Sequence, residues 1–193
     1  PLNSSLILAR LLADNPAGNL TAEQVTFAET IFTAGNDLIL LINDILDFSK
    51  VEAGHIELHA EPLDLTHVQV ALTRTFAPIA AARGIRLAVV VEQSAPTAFV
   101  SDDRRVQQIL RNLLANACKF TERGGVTMAV RGAPEYVAFV VSDTGIGIPA
   151  ASLELIFEPF QQAQGALRTH PGGTGLGLSI SRQLASLLGG TLT

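Results

Sequence analysis

Three polar side chains recur at helical spacing within the segment 102–120 of this 193-residue chain. Asn112, Asn116 and Lys119 are four and three residues apart, which places them in one row on one face of a helix. A carboxamide oxygen is a hard ligand for Mg²⁺, and a lysine ammonium is a point charge for phosphate. The row therefore predicts a site for an anionic, oxygen-rich ligand, with a solvated helix face as the alternative.

Two glycine-bearing segments follow that helix and could hold a flat ring and a phosphate. Residues 143–149, Asp-Thr-Gly-Ile-Gly-Ile-Pro, come directly after an apolar strand. The aspartate can accept a hydrogen bond from a ring amino group, and the glycines allow the ring to approach the backbone. Residues 172–178 open the last helix with four glycines, where unpaired N–H groups favour phosphate. The first segment lacks the third glycine of the dinucleotide-binding pattern, and the second lacks the Gly-Lys-Ser/Thr of the P-loop.

The composition excludes several classes of protein. The formal net charge is −5 and there is no basic run, so general nucleic-acid binding is not expected. The single cysteine, Cys118, excludes an internal disulfide framework and favours a reducing, cytoplasmic compartment. No apolar stretch is expected to approach the ~18–20 residues of a membrane span, and no signal peptide opens the chain, so this segment is not expected to contact a membrane.

Residues 1–54 are predicted to form a helical hairpin. A leucine-rich helix ends at the turn 14–19, and Thr21 with Gln24 forms a capping box at the start of the second helix. Apolar residues of the second helix then alternate steps of four and three, which is a heptad pattern widened by Ile42 and Leu46. This stripe favours half of a four-helix bundle completed by a second copy, with packing on the rest of the chain as the alternative. The heptad residues are Phe27, Ile31, Ala34, Leu38, Leu41, Ile45 and Phe48.

Beyond Gly54, helical and strand-like segments are mixed, which is typical of an α+β fold with a mixed sheet covered by helices. The patterns predict strands at 55–59, 85–91, 97–100, 126–130 and 136–141. They predict helices at 64–82 (interrupted at Pro78), 102–120, 152–157 and 174–188.

Four stretches in this order resemble the ATP-binding domain of sensor histidine kinases, a superfamily shared with gyrase, Hsp90 and MutL. NLLANACKF resembles the family's N box, DTGIGIP its first glycine box, FEPF its phenylalanine box and GGTGLGL its second glycine box. LINDILDFSKVEAG is similar to the end of the family's dimerisation and phosphotransfer helices. The resemblance implies a hairpin over 1–54, a linker over 55–65 and an ATP-binding domain over 66–193. It also implies a homodimer through the hairpin and a response-regulator partner in a two-component phosphorelay.

The resemblance assigns roles to individual residues. Asn116, with Asn112 beside it, would coordinate Mg²⁺, and Asp143 would bind the adenine amino group. Residues 161–172 would form the ATP lid, in which Arg168 is either a phosphate contact or a solvated arginine. The residues implied to bind ATP are Asn112, Asn116, Lys119, Phe120, Asp143, Gly145, Gly147, Ile148, Arg168, Gly173, Thr174, Gly175, Leu176 and Gly177.

The position of Asn112 separates two kinds of chemistry within the superfamily. The gyrase and Hsp90 relatives hydrolyse ATP with a glutamate there, and a carboxamide cannot act as a general base near neutral pH. The sequence therefore favours phosphoryl transfer to another acceptor, which in the family is a histidine. A degenerate module that dimerises without transferring phosphate, and a gyrase-type ATPase, stay as alternatives.

The phospho-accepting histidine is expected just upstream of Pro1, because Pro-Leu-Asn is similar to the end of the family's HELRTPLN segment. The chain is also expected to stop short of the family's last hairpin. His55, His59, His67 and His170 do not replace the acceptor by position. We therefore expect no catalytic residue for autophosphorylation within the chain, although Mg²⁺ and ATP would bind.

Overall fold

The computed structural model describes residues 2–54, 56–133, 135–161 and 173–193. Helices α1 (Leu2–Asp14) and α2 (Ala22–Glu52) form the predicted hairpin. The capping box at the start of α2 is confirmed: the Thr21 N–H donates to Gln24 Oε1 at 2.9 Å, and the Gln24 N–H donates to Thr21 Oγ1 at 3.2 Å. These two bonds satisfy backbone donors that the first turn of a helix otherwise leaves unpaired.

The two helices of the hairpin bury few residues against each other, and Leu6 of α1 packs on Gly35 of α2. Ala9 of α1 and Ala28 of α2 are buried, together with Leu6. Large heptad residues remain exposed on α2, with Phe27 at 57% and Ile31 at 59% of their full accessibility. The contact between α1 and α2 therefore leaves most of the apolar stripe uncovered.

Helix α2 is long and apolar enough, by length and composition alone, to cross a membrane. Its most apolar 18-residue window has a mean hydropathy of 1.4, which corrects the expectation that no stretch approaches a span. An average over the window tolerates isolated charged residues such as Glu29 and Asp37 between the apolar ones. One such helix does not identify a membrane protein, because long bundle helices share this composition. Further along α2, Asp44 and Asp47 accept hydrogen bonds from other parts of the chain.

The rest of the described chain is an α+β unit, as predicted. Strand β4 (Gly125–Gly132) lies at the centre of a three-stranded sheet, parallel to β2 (Arg86–Val91) and antiparallel to β5 (Val137–Asp143). Strands β1 (Glu61–Asp64) and β3 (Ala98–Ser101) form a separate antiparallel pair. Two short 3₁₀ helices, Ala150–Ser152 and Leu155–Phe157, precede the last helix. The remaining elements are the helices α3 (Leu65–Ala82), α4 (Asp103–Phe120) and α5 (Gly177–Leu187).

The core of this unit lies between the three-stranded sheet and helices α3 and α4. Leu72 of α3, Leu110 and Leu114 of α4 and Met128 of β4 are almost fully buried there. Burying a side chain of this size is worth ~1.5–3 kcal/mol before entropy costs, so this cluster fixes α4 against the sheet.

Three predicted boundaries were wrong. Residues 56–60 have no regular structure, and the strand instead spans Glu61–Asp64, the segment that pairs with β3. Helix α3 continues through Pro78, which is exposed, because Phe76 and Ala80 on either side are buried and hold the helix in place. Helix α5 begins at Gly177 rather than at Thr174.

Helix α2 also packs against the second unit. Phe48 and Val51 contact a cluster formed by Ile109, Ile180 and Leu184. Phe48 was predicted on the stripe that faces a second copy. Its contacts are instead within its own chain, because α2 extends past the hairpin to α4 and α5.

Candidate functional site

Helix α4 carries the polar row and is held at its start by a buried aspartate. Asp102 Oδ1 accepts a hydrogen bond from the Arg105 N–H at 3.0 Å, and Oδ2 accepts one from the His59 N–H at 2.9 Å. Desolvation by burial acts to raise the pKa of Asp102, but these two donors outweigh it and hold the pKa below its usual value. One carboxylate thus fixes both the first turn of α4 and the segment that follows the hairpin.

Asn112 is directed towards helix α5. Its Nδ2 donates to Ser181 Oγ at 2.9 Å, and a Cβ added at Gly177 would collide with its carboxamide. Gly177 therefore lets the start of α5 approach α4 closely. Asn116 lies one turn further along α4 and is half-buried.

Lys119 ends the polar row beside an aromatic ring. Its Nζ lies 5.3 Å from the centre of the Phe120 ring. Desolvation by burial lowers the pKa of Lys119, and the negative charge of Asp37 on α2 acts in the opposite direction. An acidic residue of the hairpin therefore acts electrostatically on this lysine.

The turn at 143–147 is tied to the end of α4. The Gly145 N–H donates to Asp143 Oδ1 at 2.7 Å, and the Ile146 N–H donates to the Phe120 carbonyl at 3.3 Å. A Cβ at Gly145 would collide with that carbonyl, so this glycine is required for packing against α4. Gly147 has φ +69°, with open space where a side chain would point.

The segment before α5 connects to both the 157–160 stretch and the hairpin. The Phe160 N–H donates to the Gly175 carbonyl at 3.0 Å, and the Gly175 backbone has φ +70°. Thr174 Oγ1 donates to Asp44 Oδ2 at 2.7 Å and accepts from the Leu176 N–H at 3.1 Å. Leu176 is fully buried, which fixes the start of α5 in the core.

The structure brings the polar row, the 143–147 turn and the start of α5 together around helix α4. Ile148 follows the turn and is partly exposed, and Gly173 precedes Thr174. Arg168 and the predicted lid residues 162–172 lie outside the described residues, as do His55 and His170. His59 and His67 are exposed.

A cleft of about 650 Å³ separates α2 from α4 and α5. Of the predicted ligand-binding residues, it is lined by Asn112 and Gly177. Asp44, Asp47 and Gln108 also line it, and Gln108 Nε2 donates to Asp47 Oδ2 at 2.8 Å. Most of the side chains that line the cleft are polar or charged, and the cleft lies between the hairpin and the second unit.

The donors present fit a magnesium ion bound together with phosphates. Within the described ranges, no group of three or more His, Cys, Asp and Glu side chains could hold a metal. Mg²⁺ bound with a nucleotide uses only one or two protein oxygens and keeps phosphate and water as its other ligands. The carboxamides of Asn112 and Asn116 can supply such oxygens, and Lys119 adds positive charge beside them.

Sequence reasoning missed several residues that build this region. Thr144 Oγ1 accepts from the Gly125 N–H at 3.0 Å and donates to the Arg123 carbonyl at 2.9 Å, which joins the 143–147 turn to β4. Asp44 and Asp47 connect the hairpin to the second unit. Their signal in the sequence was two acidic residues, three positions apart, within the apolar stripe of α2.

In the second unit a mixed sheet is covered by helices, and glycine-rich turns meet a helix with the pattern Asn-x-x-x-Asn-x-x-Lys. This combination defines a nucleotide-binding domain of the histidine kinase, gyrase B and Hsp90 class. Residues 101–193 match the family of histidine kinase-, DNA gyrase B- and HSP90-like ATPases, and residues 1–54 match the His Kinase A (phospho-acceptor) domain. The chain belongs to the sensor histidine kinases and comprises a catalytic core of that family.

Individual relatives agree with this assignment. The whole of this chain aligns with the sensor protein TorS of Escherichia coli at 38% identity. About 98% of this chain aligns with the circadian input-output histidine kinase CikA of Synechococcus elongatus, also at 38% identity. The chain covers 21% and 26% of these two proteins. The crystal structure of full-length ShkA in complex with AMPPNP superposes with a TM-score of 0.78 at 36% identity, over 98% of this chain and 38% of ShkA.

Proposed function

We propose that this chain binds Mg²⁺ and ATP and transfers the γ-phosphate to a histidine on the dimerisation helix of a longer partner, since residues 1–54 contain no histidine, and that the phosphate then passes to an aspartate of a response regulator. The observation that carries the proposal is the convergence of three motifs on α4. Asn112 bonds to Ser181 of α5, and Ile146 of the 143–147 turn bonds to the end of α4. ShkA, a relative at 36% identity, was crystallised with an ATP analogue, which supports a nucleotide as the ligand.

Each predicted residue has a chemical role in such a site. The Asp143 carboxylate accepts a hydrogen bond from the adenine amino group. Lys119 and the backbone N–H groups of 173–177 bind phosphate oxygens. The carboxamide oxygens of Asn116 and Asn112 hold Mg²⁺, which when bound neutralises charge on the phosphates. Phe120 and Ile148 supply apolar contacts for the ring.

The hairpin is proposed as the dimerisation element of a cytoplasmic kinase core. Phe27, Ile31 and Leu38 are exposed in the single chain and lie on one stripe of α2. A second hairpin would cover this stripe and complete a four-helix bundle. We propose residues 1–54 as the dimerisation and phosphotransfer domain, 55–65 as the linker and 66–193 as the ATP-binding domain. The pairing of β1 with β3 ties the last part of this linker to the second unit.

Calorimetric titration with the non-hydrolysable analogue AMPPNP, with and without Mg²⁺, tests the binding part of the proposal. Wild type should bind more tightly with Mg²⁺, and Asn116→Ala should lose this dependence because a metal ligand is removed. Asn43→Ala is a matched control, since it removes an exposed asparagine from α2. Wild-type binding that does not depend on Mg²⁺, or no binding, would favour the degenerate module.

The transfer part is tested with γ-labelled ATP and a longer histidine-containing partner. Acid-labile, base-stable label on the partner is the expected result, because phosphohistidine has that stability. Steady hydrolysis of ATP that survives Asn112→Ala would instead identify a gyrase-type ATPase.

A further inference from the structure

Helix α2 directs a row of carboxylates at the second unit. Asp37, Asp44 and Asp47 are seven and three residues apart, which places them on one side of the helix. Asp44 and Asp47 are half-buried against the second unit, and each accepts one hydrogen bond from it. These contacts join residues 61 and 130 positions apart in the chain.

The carboxylates of α2 interact with groups that were assigned above to phosphate binding, or with the neighbours of those groups. Asp44 Oδ2 accepts a hydrogen bond from the Thr174 hydroxyl at 2.7 Å, and Thr174 lies in the segment that precedes α5. Asp37, nearer the start of α2, acts electrostatically on Lys119. Helix α2 therefore places the Asp44 carboxylate in contact with the segment where the phosphates of a nucleotide are proposed to bind.

We propose that the acidic row of α2 competes with the phosphates of the nucleotide, so that the docked hairpin lowers the affinity of the site for ATP. This inference rests on the proposed function. Asp44 is its central residue, and the bond between Asp47 and Gln108 keeps α2 close to the site.

The competition has two physical causes. A hydroxyl has one proton to donate, so Thr174 cannot donate to a phosphate while it donates to Asp44. A helix start also favours negative charge through its exposed N–H groups and dipole, and a carboxylate already present repels a phosphate from the same place. Release of Asp44 removes both obstacles.

The test compares Asp44→Ala with wild type in calorimetric titrations with AMPPNP and with adenosine. Asp44→Ala should bind AMPPNP about three- to tenfold more tightly, in keeping with the size of charge effects at a helix start. Its affinity for adenosine should be unchanged, because adenosine has no phosphate. Asp44→Asn, which keeps a hydrogen-bond acceptor but loses the charge, should fall between the two.

Glu29→Ala is the matched control. It removes one exposed negative charge from the same helix, fifteen residues and about 22 Å along the axis from Asp44, where the charge is screened from the site, and should leave both affinities unchanged. Far-ultraviolet circular dichroism of each variant checks that the helices are intact.

Three results overturn the competition. They are unchanged or weaker AMPPNP binding by Asp44→Ala, an equal gain for adenosine, and an equal gain in Glu29→Ala. In each of these cases wild type still binds AMPPNP, so the proposed function stands. If neither wild type nor any variant binds AMPPNP, the proposed function fails and the competition fails with it.

Discussion

Helices α4 and α5 lie close together at the candidate site because Gly177 has no side chain. This residue begins α5 and lies against the Asn112 carboxamide, which is bonded to Ser181 on the same helix. Gly177→Ala places a methyl group where the carboxamide now lies. Asn112 must then turn away and lose its bond to Ser181, or α5 must move away from α4.

The size of the effect follows from three contributions. Overpacking a filled position costs ~1–3 kcal/mol. Loss of the hydrogen bond adds ~1 kcal/mol, because the Ser181 hydroxyl is buried. Alanine recovers up to ~1 kcal/mol through its better helix propensity. We expect Gly177→Ala to lower the free energy of unfolding by ~1–3 kcal/mol.

Urea unfolding of the full chain, followed by circular dichroism, measures this change. A double-mutant cycle isolates its cause, because Asn112→Ala removes the group that the new methyl would meet. Asn112→Ala alone should cost ~1 kcal/mol. The double variant should cost about the same as Asn112→Ala alone, which is ~1–3 kcal/mol less than the sum of the single variants. Gly190→Ala is the control, since its added Cβ would lie 3.5 Å from the nearest atom.

The reasoning is refuted in either of two ways. Gly177→Ala could unfold at the same urea concentration as wild type, which would mean that the contact between Gly177 and Asn112 is not tight. The double variant could lose the full sum of the two single changes, which would mean that the methyl group and the carboxamide do not compete for one space.

Two further predictions concern other parts of the chain. Asp102→Ala should destabilise the fold by ~1–2 kcal/mol, because it removes the N-cap of α4 and the acceptor for the His59 N–H. The pKa of Asp102 lies below its usual value in the folded state. Its contribution to stability is therefore complete above the unfolded-state pKa and is lost as the pH falls through the folded-state pKa. Urea titrations at decreasing pH should show this loss of stability in wild type, and Asp102→Ala should show no loss from this site. Ile31→Asp should abolish dimer formation in sedimentation experiments while the helix content of the chain is kept, because Ile31 is exposed in the single chain; a dimer of unchanged strength would contradict the proposed bundle.

Local chemistry predicted much of the fold. The capping box of Thr21 and Gln24 was readable because both partners lie within one turn of helix. Helix α4 was predicted to within one residue at its start, because Asp102 is a good N-cap and apolar residues recur at helical spacing behind it. The row of Asn112, Asn116 and Lys119 followed from the same periodicity.

The errors arose where distant parts of the chain decide the structure. Pro78 was expected to interrupt α3, but the burial of Phe76 and Ala80 outweighs the missing N–H. Phe48 fitted the heptad pattern, yet contacts a cluster more than sixty residues away in sequence. The bond between Asp44 and Thr174 spans 130 positions and has no local signal.

The small contact between α1 and α2 has a consequence for how the hairpin responds to dilution. Among the described residues of the hairpin only Leu6, Ala9 and Ala28 are buried, and large apolar side chains such as Phe27 remain exposed. If these side chains are covered by a second copy, much of the hairpin's stability comes from association and falls by ~1.4 kcal/mol for each tenfold dilution. The second unit has its own core around Leu72 and Leu114, so its stability depends less on the protein concentration. Thermal unfolding of the two parts should therefore separate as the protein concentration is lowered.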